Sequence, residues 1–293
     1  MYLLNTLEKS AATHCESLTF PNFRDSLRNI DSEQSIVAIS ASHQEQPVGL
    51  VLAKICEDNQ SAEVLSIFVK VSYRNTGLGT SLLKRLEQEL QTRGCKKVEI
   101  VYMAGQPTTA VLEHLLQKCH WELPQSRMLV CRGDNKVLEA EWVKKYSHLP
   151  SEYSIFPWEE ITEQERQAMK KQQEIQPWIP EDLIPFQYEN NFEPLNSLGL
   201  RYKEQVVGWV INHRFSSDTI RYTCSFVRKD LQKMGRIISL YAEAGKRQCQ
   251  ANIFKCIWTV PLQHQGMVNF VKRYWIPYLN SLKETRGSCK VLI

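Results

Sequence analysis

The spacing of apolar side chains differs between the two sides of a short loop in the first half of the chain. Residues 62–69 form an apolar run rich in β-branched side chains, which predicts a buried strand. After the loop, leucines recur on one stripe at helical spacing, at Leu78, Leu82, Leu83, Leu86 and Leu90. The sequence therefore predicts a strand, a loop containing Gly77 and Gly79, and an amphipathic helix that begins directly after that loop.

The same two spacings predict the order of elements over the first half of the chain. The predicted elements are a helix at 6–18, strands at 36–41, 48–55 and 62–69, the leucine-rich helix, a strand at 97–103, a helix over 111–119 and a strand at 128–131. Only residues 2–4 are available for a strand before the first helix, so that strand is expected to be short or missing. The alternation of strands and helices indicates an α/β fold.

The second half repeats landmarks of the first half in the same order and at nearly equal spacing. Gly49, in a Val-Gly pair, precedes Arg74 by 25 positions, and Gly208, also in a Val-Gly pair, precedes Gln232 by 24. Residues 232–237 then take the place of the glycine loop. Several landmarks in one order favour an internal duplication, although any two α/β domains share some of these spacings. We expect one domain at 1–134, a linker at 135–150 and a second domain at 151–293.

Composition and charge narrow the class of protein. The chain has 293 residues, 43% of them hydrophobic and 23% charged, as in an ordinary globular protein with about two domains. A formal charge of +4, with lysine pairs that are isolated, argues against a nucleic-acid partner. Nine scattered cysteines without a C-x-x-C pattern indicate free thiols in a reducing compartment. The sequence shows no signal peptide and no membrane span, so we expect a cytoplasmic protein.

The loop at residues 74–79 has the chemistry of an anion site. Where a helix begins, backbone N–H groups without intrahelical acceptors and the positive end of the helix dipole point to one place. Glycines let a phosphate approach this backbone without a side chain in the way. The alternative explanation is a tight connection at a helix start. The pattern differs from the G-x-G-x-x-G fingerprint of dinucleotide-binding proteins and from the P-loop.

The pattern Arg74-x-x-Gly77-x-Gly79, placed between strand and helix, resembles the acyl-CoA-binding loop of the GNAT acetyltransferase family. The order of predicted elements is also similar to that family. The resemblance implies an α/β fold (α+β, with a mixed sheet) that holds two tandem GNAT-like acyl-CoA N-acyltransferase domains, the second degenerate. It also implies acetyl-CoA as cosubstrate and no metal. The residues that it assigns to acetyl-CoA are Val69, Val71, Arg74, Asn75, Thr76, Gly77, Leu78, Gly79, Thr80 and Thr109.

The resemblance implies that Glu63 is the general base. This residue lies eleven positions before Arg74, which is the offset of the base in the histone-acetyltransferase branch of the family. A primary amine is largely protonated at neutral pH and needs such a base. Partial burial beside Leu65 and Ile67 would favour this use, and a strand-start glutamate facing water is the alternative. A backbone N–H at Val69 or Val71 is expected to polarise the thioester carbonyl.

The proton for the departing thiolate has no obvious donor in the sequence. Many family members carry a tyrosine four residues before a Gly-Phe pair, where it protonates the sulfur. Here His120 and Trp121 replace that pair, so the tyrosine's place falls on Leu116, which cannot donate a proton. Tyr102, at the end of the preceding strand, or a water molecule is the predicted acid. Thr109 stands where the family often has asparagine and is expected to bind the pantetheine arm.

The second half lacks two residues to which the resemblance assigns a function in the first half. Ile237 replaces Gly79, and Arg221 takes the place of Glu63. A branched side chain blocks the close approach of a phosphate, and an arginine cannot act as a base. The second domain is therefore expected to be an inactive copy. Trp178, Trp209 and Tyr222 are candidates for lining an acceptor pocket there, although aromatic residues in strands are usually core residues.

The sequence therefore predicts an N-acetyltransferase that moves an acetyl group to a primary amine by direct attack in a ternary complex. The acceptor is a small molecule or a peptide, and the protein is a monomer, as a pseudo-dimer, or a homodimer. Two alternatives stay open. One is a different tandem enzyme, such as mycothiol synthase, an aminoacyl-tRNA-dependent peptidyl transferase or a tandem acyltransferase that uses another acyl donor. The other is a non-catalytic acyl-CoA-binding regulatory module.

Overall fold

The computed structural model describes residues 2–30 and 35–292, and these form two units. Unit 1 comprises 1–127 and 284–293, and unit 2 comprises 128–283. These boundaries differ from the predicted domains in two respects. The C-terminal residues 284–293 belong to the N-terminal unit, and residues 128–134 of the predicted first domain, together with the predicted linker at 135–150, lie in unit 2.

Unit 1 contains a mixed sheet in which only one neighbouring pair of strands is parallel. Strands β1 to β5 and the end of the last strand of the chain, β12, lie in the order β1-β2-β3-β4-β5-β12. The β4–β5 pair is parallel, and the others are antiparallel. The strands are β1 (Leu3–Thr6), β2 (Ile36–His43), β3 (Gln46–Ile55), β4 (Ser61–Val69), β5 (Lys97–Met103) and β12 (Leu279–Val291).

Four helices of unit 1 cover the two faces of this sheet. They are α1 (Lys9–Cys15), α2 (Arg24–Arg28), α3 (Leu78–Thr92) and α4 (Thr109–Lys118). Alternation along the strands sends successive side chains to opposite faces, so Val37 and Ala38 enter different cores. The helices α3 and α4 pack on the first core, and α1 and α2 pack on the second. The leucine stripe of α3 is buried in the first core, which confirms the predicted amphipathic helix.

Unit 2 has the same plan. Residues 128–134 of β6 and the strands β7 to β11 lie in the order β6-β11-β10-β9-β8-β7, and β10–β11 is the parallel pair. The strands are β6 (Gln125–Asp134), β7 (Tyr153–Pro157), β8 (Leu198–Tyr202), β9 (Gln205–Ser216), β10 (Thr219–Val227) and β11 (Lys255–Pro261). The helices are α5 (Glu141–Tyr146), α6 (Glu163–Ile175), α7 (Lys229–Gln232), α8 (Arg236–Gln250) and α9 (Gln265–Phe270), and a π-helical turn (Val271–Trp275) follows α9.

The C-terminal strand completes the sheet of unit 1. Its residues 285–291 pair with β5, and its partly exposed Lys290 reaches Glu87 of α3. There the Lys290 Nζ donates to Glu87 Oε2 at 2.5 Å, and the Trp121 indole N–H donates to Glu87 Oε1 at 2.7 Å. Glu87 is buried, so its charge depends on these partners. The N-terminal unit therefore needs the last residues of the chain.

Three further expectations can be compared with the structure. Within residues 2–30 and 35–292, no helix has the length and apolar character required to cross a lipid bilayer. The same residues hold no group of three or more His, Cys, Asp or Glu side chains placed to bind a metal ion. All nine cysteines are free thiols, and five of them are buried, namely Cys15, Cys95, Cys119, Cys131 and Cys224.

Candidate active site

Strands β4 and β5 diverge halfway along their length. Their parallel ladder ends at the pair of Val64 and Ile100, whereas β4 continues to Val69 and β5 to Met103. A bulge in β4 accompanies the divergence, because the pairing with β3 skips Leu65. An extra residue on one strand bends it and increases its twist. The two strand ends therefore bound a cleft with unpaired backbone on each side.

Alternation along β4 turns particular amides toward this cleft. The Lys70 N–H donates to the Val48 carbonyl oxygen of β3 at 2.9 Å. Neighbouring amides along a strand point in opposite directions, so the N–H of Val69 faces the side from which β5 has departed. Val71 opens a 3₁₀ turn (Val71–Tyr73), and its side chain is exposed. Val69 is therefore the better placed of the two predicted backbone donors.

The glycine loop forms the predicted helix N-terminus. Gly77 is the N-cap of α3, with a φ of 84°, and Asn75 has a φ of 61°. No side chain caps the helix, and the first helical hydrogen bond runs from the Ser81 N–H to the Gly77 carbonyl at 3.1 Å. The amides of Leu78, Gly79 and Thr80 therefore have no acceptor within the helix. They are available to an anion.

Neither the backbone angles nor the packing at position 79 requires a glycine. Gly79 lies in the first turn of α3 with helical backbone angles, and an added Cβ would meet the Leu115 side chain at 3.6 Å, an ordinary contact. Glycine in a helix costs about 0.5–1 kcal/mol relative to alanine. Neither backbone conformation nor internal packing explains the residue. Close approach of a ligand to the amide backbone does explain it.

Arg74 supplies a positive charge beside these amides. Its Nε donates to the Val69 carbonyl oxygen at 3.0 Å, and its guanidinium lies 5.9 Å from the centre of the Phe68 ring. Its two terminal nitrogens have no hydrogen-bond partner among the described residues. Thr76 fixes the turn, because its hydroxyl donates to the Tyr73 carbonyl oxygen at 2.8 Å. The loop thus combines three free amides with one anchored, exposed guanidinium.

Glu63 lies one residue before the point of divergence. Its neighbours across the strands are Lys54 on β3 and Glu99 on β5. The side chain is exposed, so the expected partial burial beside Leu65 and Ile67 is wrong. The sequence does not indicate which parts of a sheet face are covered, and at Glu63 this face is open. The carboxylate lies on the paired part of β4, next to the point of divergence, and is open to solvent.

Tyr102 lies two residues beyond the divergence but has its hydroxyl engaged. It donates to Glu113 Oε1 of α4 at 2.9 Å. Burial and this hydrogen bond raise the pKa of the Tyr102 hydroxyl above its usual value, so the group holds its proton more tightly. The sequence reasoning missed Glu113, although it lies one helical turn after Thr109 on the same face of α4. Leu116, where the family's tyrosine would stand, is buried in the core.

Thr109 opens α4 next to the end of β5. Its hydroxyl oxygen accepts a hydrogen bond from the Gln106 N–H at 2.9 Å. The hydroxyl hydrogen is not used by this contact, so the group can still donate to a ligand. Thr109 follows β5 in the chain, and Val69 and the loop at 74–80 lie at and after the end of β4. Because β4 and β5 are parallel, these residues all lie at or beyond the same ends of the two strands in unit 1.

Comparison with known proteins relates the first part of the chain to a family. Residues 3–120 match the sequence model of the acetyltransferase (GNAT) family. The N-terminal unit is a GNAT domain. This match ends before the second half begins, and no curated protein matches the chain. The family is one of acyltransferases, and the cleft of the chain lies within the matched residues.

Solved structures show that the GNAT-like fold extends over both units. A tandem GNAT protein from the clavulanic acid biosynthesis pathway is 8% identical, with a TM-score of 0.69, over 100% of this chain and 99% of that one. An N-acetyltransferase from Sphaerobacter thermophilus is 15% identical, with a TM-score of 0.66, over 99% and 96%. The N-acetyltransferase region of a fungal multi-domain β-N-acetylglucosaminidase is 14% identical, with a TM-score of 0.69. This chain covers 38% of that fungal protein and is itself covered to 99%.

The second GNAT-like unit retains the cleft but not the anion site. Its parallel ladder also ends early, at Tyr222 and Trp258, and a bulge follows in β10. Gly235 has a φ of 70° at the start of α8, as Gly77 has before α3. However, an added Cβ on Gly235 would lie 2.7 Å from the Tyr146 ring, so the connecting helix α5 covers this glycine. With Ile237 in place of Gly79, the second unit is a degenerate copy.

The aromatic residues considered as a pocket in unit 2 form a core instead. Trp209 is completely buried, and its ring packs against those of Trp178 and Phe226. Tyr222 hydrogen-bonds the Gln248 side chain at 3.1 Å. These contacts explain why aromatic residues recur along the strands of this unit. They provide packing and do not line an open acceptor pocket.

Proposed function

We propose that unit 1 binds acetyl-CoA and transfers its acetyl group to a primary amine. The observation that carries this proposal is the N-terminus of α3, where Gly79 leaves three amides open although the protein could accommodate a side chain there. A diphosphate is an anion that fits such amides, because each N–H donates to a charged oxygen. The family to which unit 1 belongs acts on acyl groups, which supports an acyl-CoA as the ligand.

Different residues of the cleft bind different parts of acetyl-CoA. The amides of residues 77–80 and the guanidinium of Arg74 bind the diphosphate, with Asn75 and Thr76 shaping the loop. The pantetheine arm carries amide groups and lies between the diverging strands, where the Thr109 hydroxyl donates to it. The Val69 N–H donates to the thioester carbonyl oxygen and polarises it.

The reaction is a direct displacement in a ternary complex. The amine nitrogen attacks the carbonyl carbon, the new C–N bond forms, and the C–S bond breaks to release the CoA thiolate. Glu63 accepts the proton that the amine loses, directly or through water. The Tyr102 hydroxyl has a raised pKa and already donates a hydrogen bond to Glu113. We therefore propose that water protonates the thiolate. This gives Tyr102 a positioning role in place of an acid's role.

Release of free CoA thiol in the presence of a panel of amines tests the proposal. The panel includes peptides with free N-termini, polyamines and amino sugars, each tested with acetyl-, propionyl- and succinyl-CoA. We expect turnover with acetyl-CoA and at least one amine, and no turnover for Gly79→Val. Turnover only with a larger acyl group would assign a different donor to the same cleft.

A non-catalytic acyl-CoA-binding module is the second candidate. Two observations favour it: Leu116 fills the place of the family's tyrosine, and Glu63 is exposed without a charged partner among the described residues. Tight binding of acetyl-CoA without thiol release across the whole panel would support this module and contradict the transferase. We also propose a cytoplasmic location, which the nine free thiols support.

A further inference from the structure

One carboxylate on α4 ties the end of β5 to the C-terminal strand. Glu113 Oε1 accepts a hydrogen bond from the Tyr102 hydroxyl at 2.9 Å and another from Arg286 Nη1 at 3.0 Å. Arg286 lies directly opposite Tyr102 in the pairing of β12 with β5. All three residues lie in unit 1, although Arg286 is separated from the other two by more than 170 positions.

The position of this contact is informative. The β4–β5 ladder ends at Ile100, so Tyr102 belongs to the part of β5 that has a partner strand on one side alone. Such a strand end is free to move toward β4 and narrow the cleft unless something else holds it. Glu113 follows Thr109 by one helical turn, so a contact at Glu113 also fixes the start of α4.

We propose that Arg286 is a positioning residue that, through Glu113, holds the end of β5 away from β4 and keeps the acyl-carrier cleft open. The inference rests on the proposed function, since the cleft it serves is the acetyl-CoA cleft. Arg286 lies outside residues 3–120, so the family match does not include it. The last strand of the chain thereby contributes to a site that is otherwise built from the first half.

The physical reason lies in the charge of Glu113. Its side chain is 28% exposed, so it needs a partner for its charge, and Arg286 provides a guanidinium that also remains 40% exposed. Without Arg286, the carboxylate is better solvated when it turns toward water, and the Tyr102 hydroxyl loses its acceptor. Only a fraction of the molecules then have an open cleft that can bind acetyl-CoA. The apparent affinity for acetyl-CoA falls in proportion to that fraction.

A matched arginine lies on the opposite face of the same sheet. Arg127 pairs with Glu99 at 3.5 Å, and the two side chains are 44% and 32% exposed. This pair joins the same strand, β5, but contacts neither α4 nor Tyr102. Glu99 also pairs with Lys97, and Arg286 also pairs with Glu284 at 3.5 Å. Arg127→Met therefore removes an arginine–glutamate ion pair on β5 and leaves the contact between Arg286 and Glu113 in place. Arg286→Met is the test variant, and Arg286→Lys keeps a charge that can still reach Glu113.

Two probes separate the cleft from the anion site. Acetyl-CoA occupies both, whereas ADP carries a diphosphate without the arm and needs the loop at 74–80 alone. By calorimetry, we expect Arg286→Met to bind acetyl-CoA about tenfold more weakly while ADP binding stays within about twofold, with Arg286→Lys recovering most of the loss. Arg127→Met should change neither. General damage to the fold would instead weaken both probes together.

Hydrogen exchange in the ligand-free protein provides the readout that does not depend on the ligand. Amides of residues 101–103 should exchange faster in Arg286→Met than in the wild type, and at the wild-type rate in Arg127→Met. Equal acetyl-CoA affinities for Arg286→Met and Arg127→Met would overturn the proposal, and so would unchanged exchange. If the wild type does not bind acetyl-CoA, the proposed function fails, and the exchange rates alone decide whether Arg286 supports β5.

Discussion

Replacing Gly79 with alanine should stabilise the free protein and weaken its binding of acetyl-CoA. In the free protein, the new Cβ would lie 3.6 Å from Leu115, so packing accepts it without displacement. Alanine in a helix is favoured over glycine by about 0.5–1 kcal/mol, which raises Tm by about 1–3 °C for a chain of this size. The methyl group stands where a phosphate oxygen must approach the amides. Losing one charge-assisted hydrogen bond costs about 1.5–3 kcal/mol, or tenfold or more in Kd.

Gly266 provides a matched control. It is the second residue of α9, as Gly79 is of α3, and an added Cβ there meets nothing within 4 Å. Gly266→Ala should raise Tm by a similar amount and leave the Kd of acetyl-CoA unchanged. Thermal melting followed by calorimetry on the same samples measures both effects. Wild-type affinity in Gly79→Ala, or an equal loss in Gly266→Ala, would refute the reasoning that ligand approach explains the glycine.

Other perturbations test other parts of the molecule. Glu63→Gln should lower kcat at least tenfold and leave the Kd of acetyl-CoA unchanged, and an unaltered pH–rate profile would remove Glu63 from the mechanism. Lys290→Met should destabilise the protein by about 3 kcal/mol in denaturant unfolding, because Glu87 is left buried with the Trp121 N–H as a donor but without a cation. Adding Glu87→Gln to Lys290→Met should recover part of that loss, and no recovery would mean that the pair is not coupled. Ile237→Gly should leave acetyl-CoA stoichiometry unchanged, because Tyr146 still covers the start of α8.

Local signals predicted the elements that form the site. The leucine stripe of α3 and the apolar run of β4 each specify their structure within a few residues. The same holds at α6, where Thr162 and Glu165, three positions apart in the sequence, form a capping box. The glycines between β4 and α3 predicted a loop that opens directly into the helix, and Gly77 is the N-cap of α3. These features depend on neighbours along the chain, which a single sequence displays.

The parts that the sequence did not reveal depend on distant residues. Strand β12 is largely polar, and its 285–291 segment pairs with β5 from the other end of the chain, so no periodicity marks it as part of the first unit. The expected burial of Glu63 failed for a similar reason, since sequence neighbours do not show what covers a sheet face. Glu113 and Arg286 meet only because β5, α4 and β12 come together in space.

The stoichiometry of acetyl-CoA binding tests the central claim most directly. Calorimetric titration of acetyl-CoA into the full chain should give one equivalent per chain, and Gly79→Val should abolish the binding. Two equivalents, no binding by the wild type, or binding that survives Gly79→Val would contradict an account in which the amides at the start of α3 hold the diphosphate.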